Sequence, residues 1–101
     1  MGADMSEPNF KQTHYRNKKI LQAARDRPCQ YCGRNDGTTV AAHSNAMSHG
    51  KGVGIKAHDC YIAFLCSHCH SDYDSHKMPQ MGFDTSMERT WLLLLREGIL
   101  R

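Results

Sequence analysis

The stretch Cys66-Ser67-His68-Cys69-His70-Ser71-Asp72-Tyr73-Asp74, read with Cys29-Gln30-Tyr31-Cys32 upstream, decides the fold. Each Cys-x-x-Cys pair places two thiolates close together on a tight turn, a knuckle. Two knuckles supply the four soft ligands that tetrahedral zinc prefers, at about 2.3 Å from the ion. Such a site contributes on the order of 10 kcal/mol or more to folding, enough to staple a small domain. The competing readings are a redox Cys-x-x-Cys pair and buried free thiols. Against the redox reading, the pairs lie far apart and no βαβ pattern surrounds them. A four-cysteine site has no open coordination position, so Cys29, Cys32, Cys66 and Cys69 read as architecture, not catalysis. The fifth cysteine, Cys60, adjoins an apolar run and reads as a small buried hydrophobe.

A chain of 101 residues makes one domain with a thin core, for which a staple matters. The longest apolar run, Trp91 to Leu95, is far too short to cross a bilayer. Residues 1–9 hold no apolar signal segment. The expected setting is therefore the reducing cytoplasm, where cysteines bind metals in preference to forming disulfides. A net charge of +3 is compatible with a polyanionic partner but too weak to demand one. The basic residues Lys11, Arg16, Lys18, Lys19, Arg25 and Arg27 crowd the N-terminal quarter.

The fold expected is α+β: a loose leader over 1–13, then one domain over 14–101. Ile20, Leu21 and Ala24 recur at helical spacing, which predicts a helix over about His14 to Asp26, stopped by Pro28. Asn35-Asp36-Gly37 reads as a hairpin turn, with Thr38 to His43 returning as a strand. Ser44 to Asp59, containing Gly50, Gly52 and Gly54, reads as a loop. Tyr61 to Leu65 is a strand-like apolar run, and Ser67 to about His76 a helix. Pro79 and Gly82 suggest a turn over 79–83. Thr85 with Glu88 fits a capping box, which opens a last helix over 85–97 before Gly98. Met87, Trp91, Leu94 and Leu95 would form its apolar face. Leu92 and Leu93 point elsewhere, so this helix is expected to be buried on two sides or to meet a partner.

On a helix following the second knuckle, residues four apart share a face. Three imidazole–carboxylate pairs result: His68 with Asp72, His70 with Asp74, and Asp72 with His76. Any of them suits a divalent metal with open positions, and spacing alone does not choose. Surface polar residues on a carrier helix would look the same.

Taken in order, Cys29-x-x-Cys32, Ala42-His43, Gly50-Lys51-Gly52-Val53-Gly54-Ile55-Lys56-Ala57-His58-Asp59 and Cys66-x-x-Cys69-His70-x-x-x-Asp74 resemble the zinc-containing branch of the HNH (ββα-metal, His-Me finger) nucleases. More narrowly they resemble small phage and prophage proteins related to a RecA-dependent recombination-enhancement nuclease. The resemblance covers roughly residues 20–100 and implies a small ββα-metal domain, stapled by zinc and flanked by N- and C-terminal helices. It implies His43 as general base, and His70 and Asp74 as ligands of a catalytic Mg²⁺ or Mn²⁺. Asp59 takes the place of the asparagine that braces the loop. Many members carry His or Asp before the base, where this chain has Ala42.

The implied chemistry is coherent. Neutral imidazole can take a proton from water near pH 7, and a divalent ion can neutralise charge on a scissile phosphate. The glycine-rich loop offers backbone N–H groups with Lys51 and Lys56 to neighbouring phosphates, and Arg34, Lys77 and the basic N-terminal helix would extend the groove. Nothing reads base sequence, so weak sequence preference is expected. His14, His49 and His58 have no clear partner. The leading expectation is a DNA endonuclease with a recombinase filament as partner and needing no membrane. The alternative is a non-catalytic zinc-ribbon module that binds nucleic acid or protein.

Overall fold

A computed structural model of the protein describes residues 15–52 and 54–99; the expected leader and His14 lie outside them. The elements in order are helix α1 (Lys18–Gln22), strand β1 (Val40–His43), a 3-10 turn (Met47–His49), strand β2 (Ile62–Leu65), helix α2 (Ser67–Asp74) and helix α3 (Gln80–Arg96). The fold is small and α+β, with a two-stranded antiparallel sheet.

The two strands pair from Val40 opposite Leu65 to His43 opposite Ile62. All four β2 residues are buried, which explains why β2 reads as a continuous apolar run. Alternate side chains serve opposite faces. Ile62 and Phe64 pack with Ile20, Ala24 and Leu94. Ala63 and Leu65 pack with Ala42, Tyr73, Phe83, Met87 and three of the knuckle cysteines. The knuckles are therefore part of the core on one side of the sheet. Helix α3 also covers the free edge of β2. The Phe64 amide donates to Thr90 Oγ1 at 3.1 Å, and Trp91 Nε1 donates to the Cys60 carbonyl at 2.6 Å. A covered edge cannot recruit foreign strands.

Several expected boundaries move, each for a local reason. Helix α1 starts at Lys18, not His14, because Asn17 is extended and its side chain caps the amides of Lys19 and Ile20. It gives way to turns that end at Asp26, whose φ of 60° leaves the helical region. Asp36 does form a turn, accepting from the Thr38 amide at 3.1 Å. That turn leads from the first knuckle into β1 and joins no paired strands, since the partner of β1 lies beyond the 44–59 loop. Helix α2 ends at Asp74, and His76 takes a φ of 63°.

The largest change is at α3. The expected turn over 79–83 is the first helical turn, with Pro79 at the N-cap. Proline is accepted there because the missing N–H has no intrahelical partner to lose. Gly82 lies inside the helix, and its glycine serves close packing: a Cβ there would lie 2.9 Å from the Tyr31 ring. Thr85 caps nothing; its hydroxyl donates to the Met81 carbonyl inside the helix. The buried face is Phe83, Ser86, Met87, Thr90 and Leu94. Leu95, expected on it, is 51% exposed, and Leu92 is 58% exposed. Both clusters draw on α3, so its burial on two sides is met by the sheet's two faces.

Candidate functional site

The first knuckle is built on backbone bonds. The Cys29 amide donates to the Arg34 carbonyl at 2.8 Å, and Gln30 donates to the Phe64 carbonyl at 2.7 Å. The second bond docks the knuckle at the end of β2. Cys66 is the N-cap of α2 and Cys69 lies in its first turn. The four sulfurs of Cys29, Cys32, Cys66 and Cys69 lie within 4.8 Å of one another. Cys32 Sγ and Cys66 Sγ are 3.7 Å apart. A tetrahedral ion with bonds of about 2.3 Å needs sulfurs roughly 3.8 Å apart, whereas a disulfide needs about 2.05 Å. The cluster therefore fits a metal ion.

Its donors are prepared for charge. Tyr31 and Cys32 amides donate to Cys29 Sγ at 3.4 and 3.5 Å, and the Arg34 amide to Cys32 Sγ at 3.5 Å. Burial pushes the Cys29 thiol up, but the amides of Cys32, Cys66 and Tyr31 outweigh it and bring the pKa down to about 7. Burial and the neighbouring sulfurs push the Cys69 thiol well up. A cation replacing the shared protons relieves that repulsion. Cys60 stands outside the cluster, half-buried, with its thiol pushed up by burial.

Beginning at His70, directly after the second knuckle, and reaching back to β1 and the loop that follows it, residues expected to do chemistry share an open cleft of about 270 Å³. It is lined by Ala41, His43, Ser44, Asn45, Lys51, Lys56, His70 and Asp74. β1 delivers His43, the 44–59 loop delivers the lysines, and α2 delivers His70 and Asp74 one turn apart. His70 Nε2 and Asp74 Oδ2 are 3.3 Å apart. His68 and Asp72 make a similar 3.3 Å pair but do not line the cleft, and His76 lies beyond the end of α2. Arg34 and Lys77 are not brought to the cleft either. Arg34 sits 3.9 Å from Asp36, and Lys77 follows α2 with its amide on the Asp72 carbonyl.

His43 is held from behind. Its Nε2 lies 2.8 Å from Asp59 Oδ1. The Asp59 side chain is buried and also accepts from the Asn17 amide at 2.6 Å. Burial alone would raise its carboxyl pKa. Hydrogen bonds from His43 and the Asn17 amide, with the charges of His43 and Arg16, reverse this and hold it below the usual value. An ionised Asp59 is acceptor-only, so it selects the His43 tautomer with the proton on Nε2 and leaves a lone pair on Nδ1. Ala42, between two cleft-lining residues, points into the core with Ala63 and Leu65.

Two histidines without an expected role have firm partners. His49 Nδ1 is 2.7 Å from buried Ser44 Oγ, and its ring stacks on Tyr61. His58 Nδ1 accepts from the Tyr15 amide at 2.9 Å, and its ring leaves no room for a Cβ at Gly50. Both pin the 44–59 loop. Sequence reasoning missed Ser44 and Asn45 as cleft residues, and Arg16 and Asn17 as partners of Asp59.

Among the described residues, no helix is long and apolar enough to cross a membrane. A family model described as "Protein of unknown function (DUF968)" matches residues 4–83, a span containing both knuckles and every cleft residue. No curated protein and no solved structure matches the chain.

Proposed function

The chain belongs to the DUF968 family of unknown function, and we propose that it is a metal-dependent endonuclease of the HNH type that hydrolyses phosphodiester bonds in DNA. The observation that carries this reading is the convergence of His43, Lys51, Lys56, His70 and Asp74 in one cleft. They come from three separate segments, and a plain zinc ribbon has no need of them.

In this reading His43 is the general base. With Nε2 directed to Asp59, its Nδ1 takes a proton from the attacking water. Lys51 and Lys56 hold phosphates flanking the scissile bond. His70 and Asp74 hold a divalent cation. Their 3.3 Å separation suits adjacent ligands of an octahedral ion, which lie about 3.0 Å apart for bonds near 2.1 Å. Mg²⁺ or Mn²⁺ bound there would supply positive charge to the phosphate and to the leaving oxygen. Ala42 is committed to the core and offers no ligand, so a metal held by His70 and Asp74 would have positions left for water and substrate. The four cysteines hold structural zinc. The setting in this reading is DNA recombination or processing in a phage or prophage context, in the cytoplasm, with a recombinase filament as partner.

The core position of Ala42 is also the one observation on the side of a non-catalytic zinc-ribbon module, since it leaves only two protein ligands. The separating experiment incubates purified protein with supercoiled plasmid and Mg²⁺ or Mn²⁺. The nuclease reading expects nicking that EDTA and His70→Ala both stop. DNA binding without nicking, unchanged by His70→Ala, would establish the module instead.

A further inference from the structure

The basic residues of the expected N-terminal helix read in sequence as an extension of a phosphate-binding groove, yet the Arg16 guanidinium, though 40% exposed, is bonded to the 56–59 segment. Its guanidinium donates to the Ala57 carbonyl at 2.6 Å, to the Lys56 carbonyl at 2.9 Å and to Asp59 Oδ1 at 3.4 Å. Its neighbours join in. The Asn17 amide donates to Asp59 Oδ2, and the Asp59 amide donates to the Tyr15 carbonyl at 2.8 Å. Residues 15–17 thus form a strap lying across residues 56–59.

We infer that Arg16 is a positioning residue that fixes the base through Asp59. Asp59 Oδ1 is shared between Arg16 and His43 Nε2, while Oδ2 is taken by Asn17. The carboxylate is therefore fixed at both oxygens, and His43 inherits its orientation and tautomer. The same guanidinium holds the Lys56 carbonyl, so one side chain ties the base to a cleft lysine. A planar fork with donors in fixed directions can serve two carbonyls and a carboxylate together; an ammonium on a flexible stem cannot. Loosening such a support by about 1 Å costs catalysis about 10²-fold while leaving binding groups in place.

The kinetic side of this inference rests on the nuclease reading; the orientation of His43 does not. The test compares wild type with Arg16→Met, both confirmed to retain metal at the four cysteines. Nitrogen NMR of the His43 ring at alkaline pH reads the tautomer directly. Wild type is expected to carry the proton on Nε2, and Arg16→Met to show a mixture with Nδ1. In the plasmid assay kcat is expected to fall at least tenfold with KM within about threefold. If Arg16→Met does not fold, Arg16→Lys is read the same way, since it keeps the charge and loses the fork. A tautomer unchanged by substitution overturns the inference, whatever the rate. A shifted tautomer in a wild type that cuts no DNA upholds the positioning role and overturns the nuclease reading alone.

Discussion

Replacing Cys66 by serine tests the staple. Cys66 is fully buried, caps α2 and stands 3.7 Å from Cys32 Sγ. Serine keeps the shape but offers a poor ligand in place of a thiolate. Structural zinc sites bind with about 10–16 kcal/mol at neutral pH, so one of four ligands carries roughly 3–4 kcal/mol. A domain of this size is stable by only about 5–15 kcal/mol. At about 4–8 °C per kcal/mol, the melting temperature should fall by about 12 °C or more. Circular dichroism melts with and without a chelator, beside elemental analysis, measure this. Wild type should hold one zinc, lose it to the chelator and melt at or below the variant's temperature once stripped. Cys60→Ser should keep the metal. A wild type that carries no metal as purified and, with no chelator added, melts within about 2 °C of Cys66→Ser would refute the reasoning.

Thr90→Val removes the hydroxyl that receives the Phe64 amide. A buried amide left without a partner costs about 1–3 kcal/mol, so urea midpoints should drop accordingly; an unchanged midpoint would mean that water reaches this edge. The carboxyl of Asp59 has a depressed pKa in the folded state, so its contribution to stability is complete above the unfolded value of about 3.9 and is lost as pH falls through the folded one. Melting curves from pH 6 downward should therefore show Asp59→Asn less stable than wild type at pH 6, with the gap closing in acid. Acid would strip any metal held by the four cysteines from both proteins alike, so the difference between them isolates the carboxylate, and a gap constant with pH would contradict its ionised, hydrogen-bonded state.

What was legible in the sequence was local. Two Cys-x-x-Cys turns state their own geometry, and the cluster of four sulfurs follows from them. Helical spacing placed His70 and Asp74 on one face but could not prefer them over His68 and Asp72; the resemblance singled them out, and in the structure they, and not His68 and Asp72, line the cleft beside β1 and the lysine loop. Local rules failed where a distant partner overrides them. Pro79 and Gly82 read as a turn, yet Pro79 takes the N-cap and Gly82 lies in the helix, where Tyr31, about 50 residues away in sequence, occupies the space a Cβ would fill. Asp36 makes a genuine turn, but strand pairing across the 44–59 loop decides that it closes no hairpin. Arg16 and Asn17 meet Asp59 across 43 and 42 residues. No periodicity carries such a pairing, and in sequence Arg16 is one basic residue among many.

The central claim is that His43, backed by Asp59 in the cleft, activates water for phosphodiester cleavage. The most direct measurement is single-turnover cleavage of single-stranded DNA, double-stranded DNA and RNA with Mg²⁺ or Mn²⁺, comparing wild type with His43→Ala at matched zinc content. Loss of a general base costs about 10²–10⁴-fold, so the variant should bind nucleic acid, keep its zinc and cut at least about 10²-fold more slowly. Cleavage at the wild-type rate by His43→Ala, or none by wild type on any of the three substrates, would contradict the account.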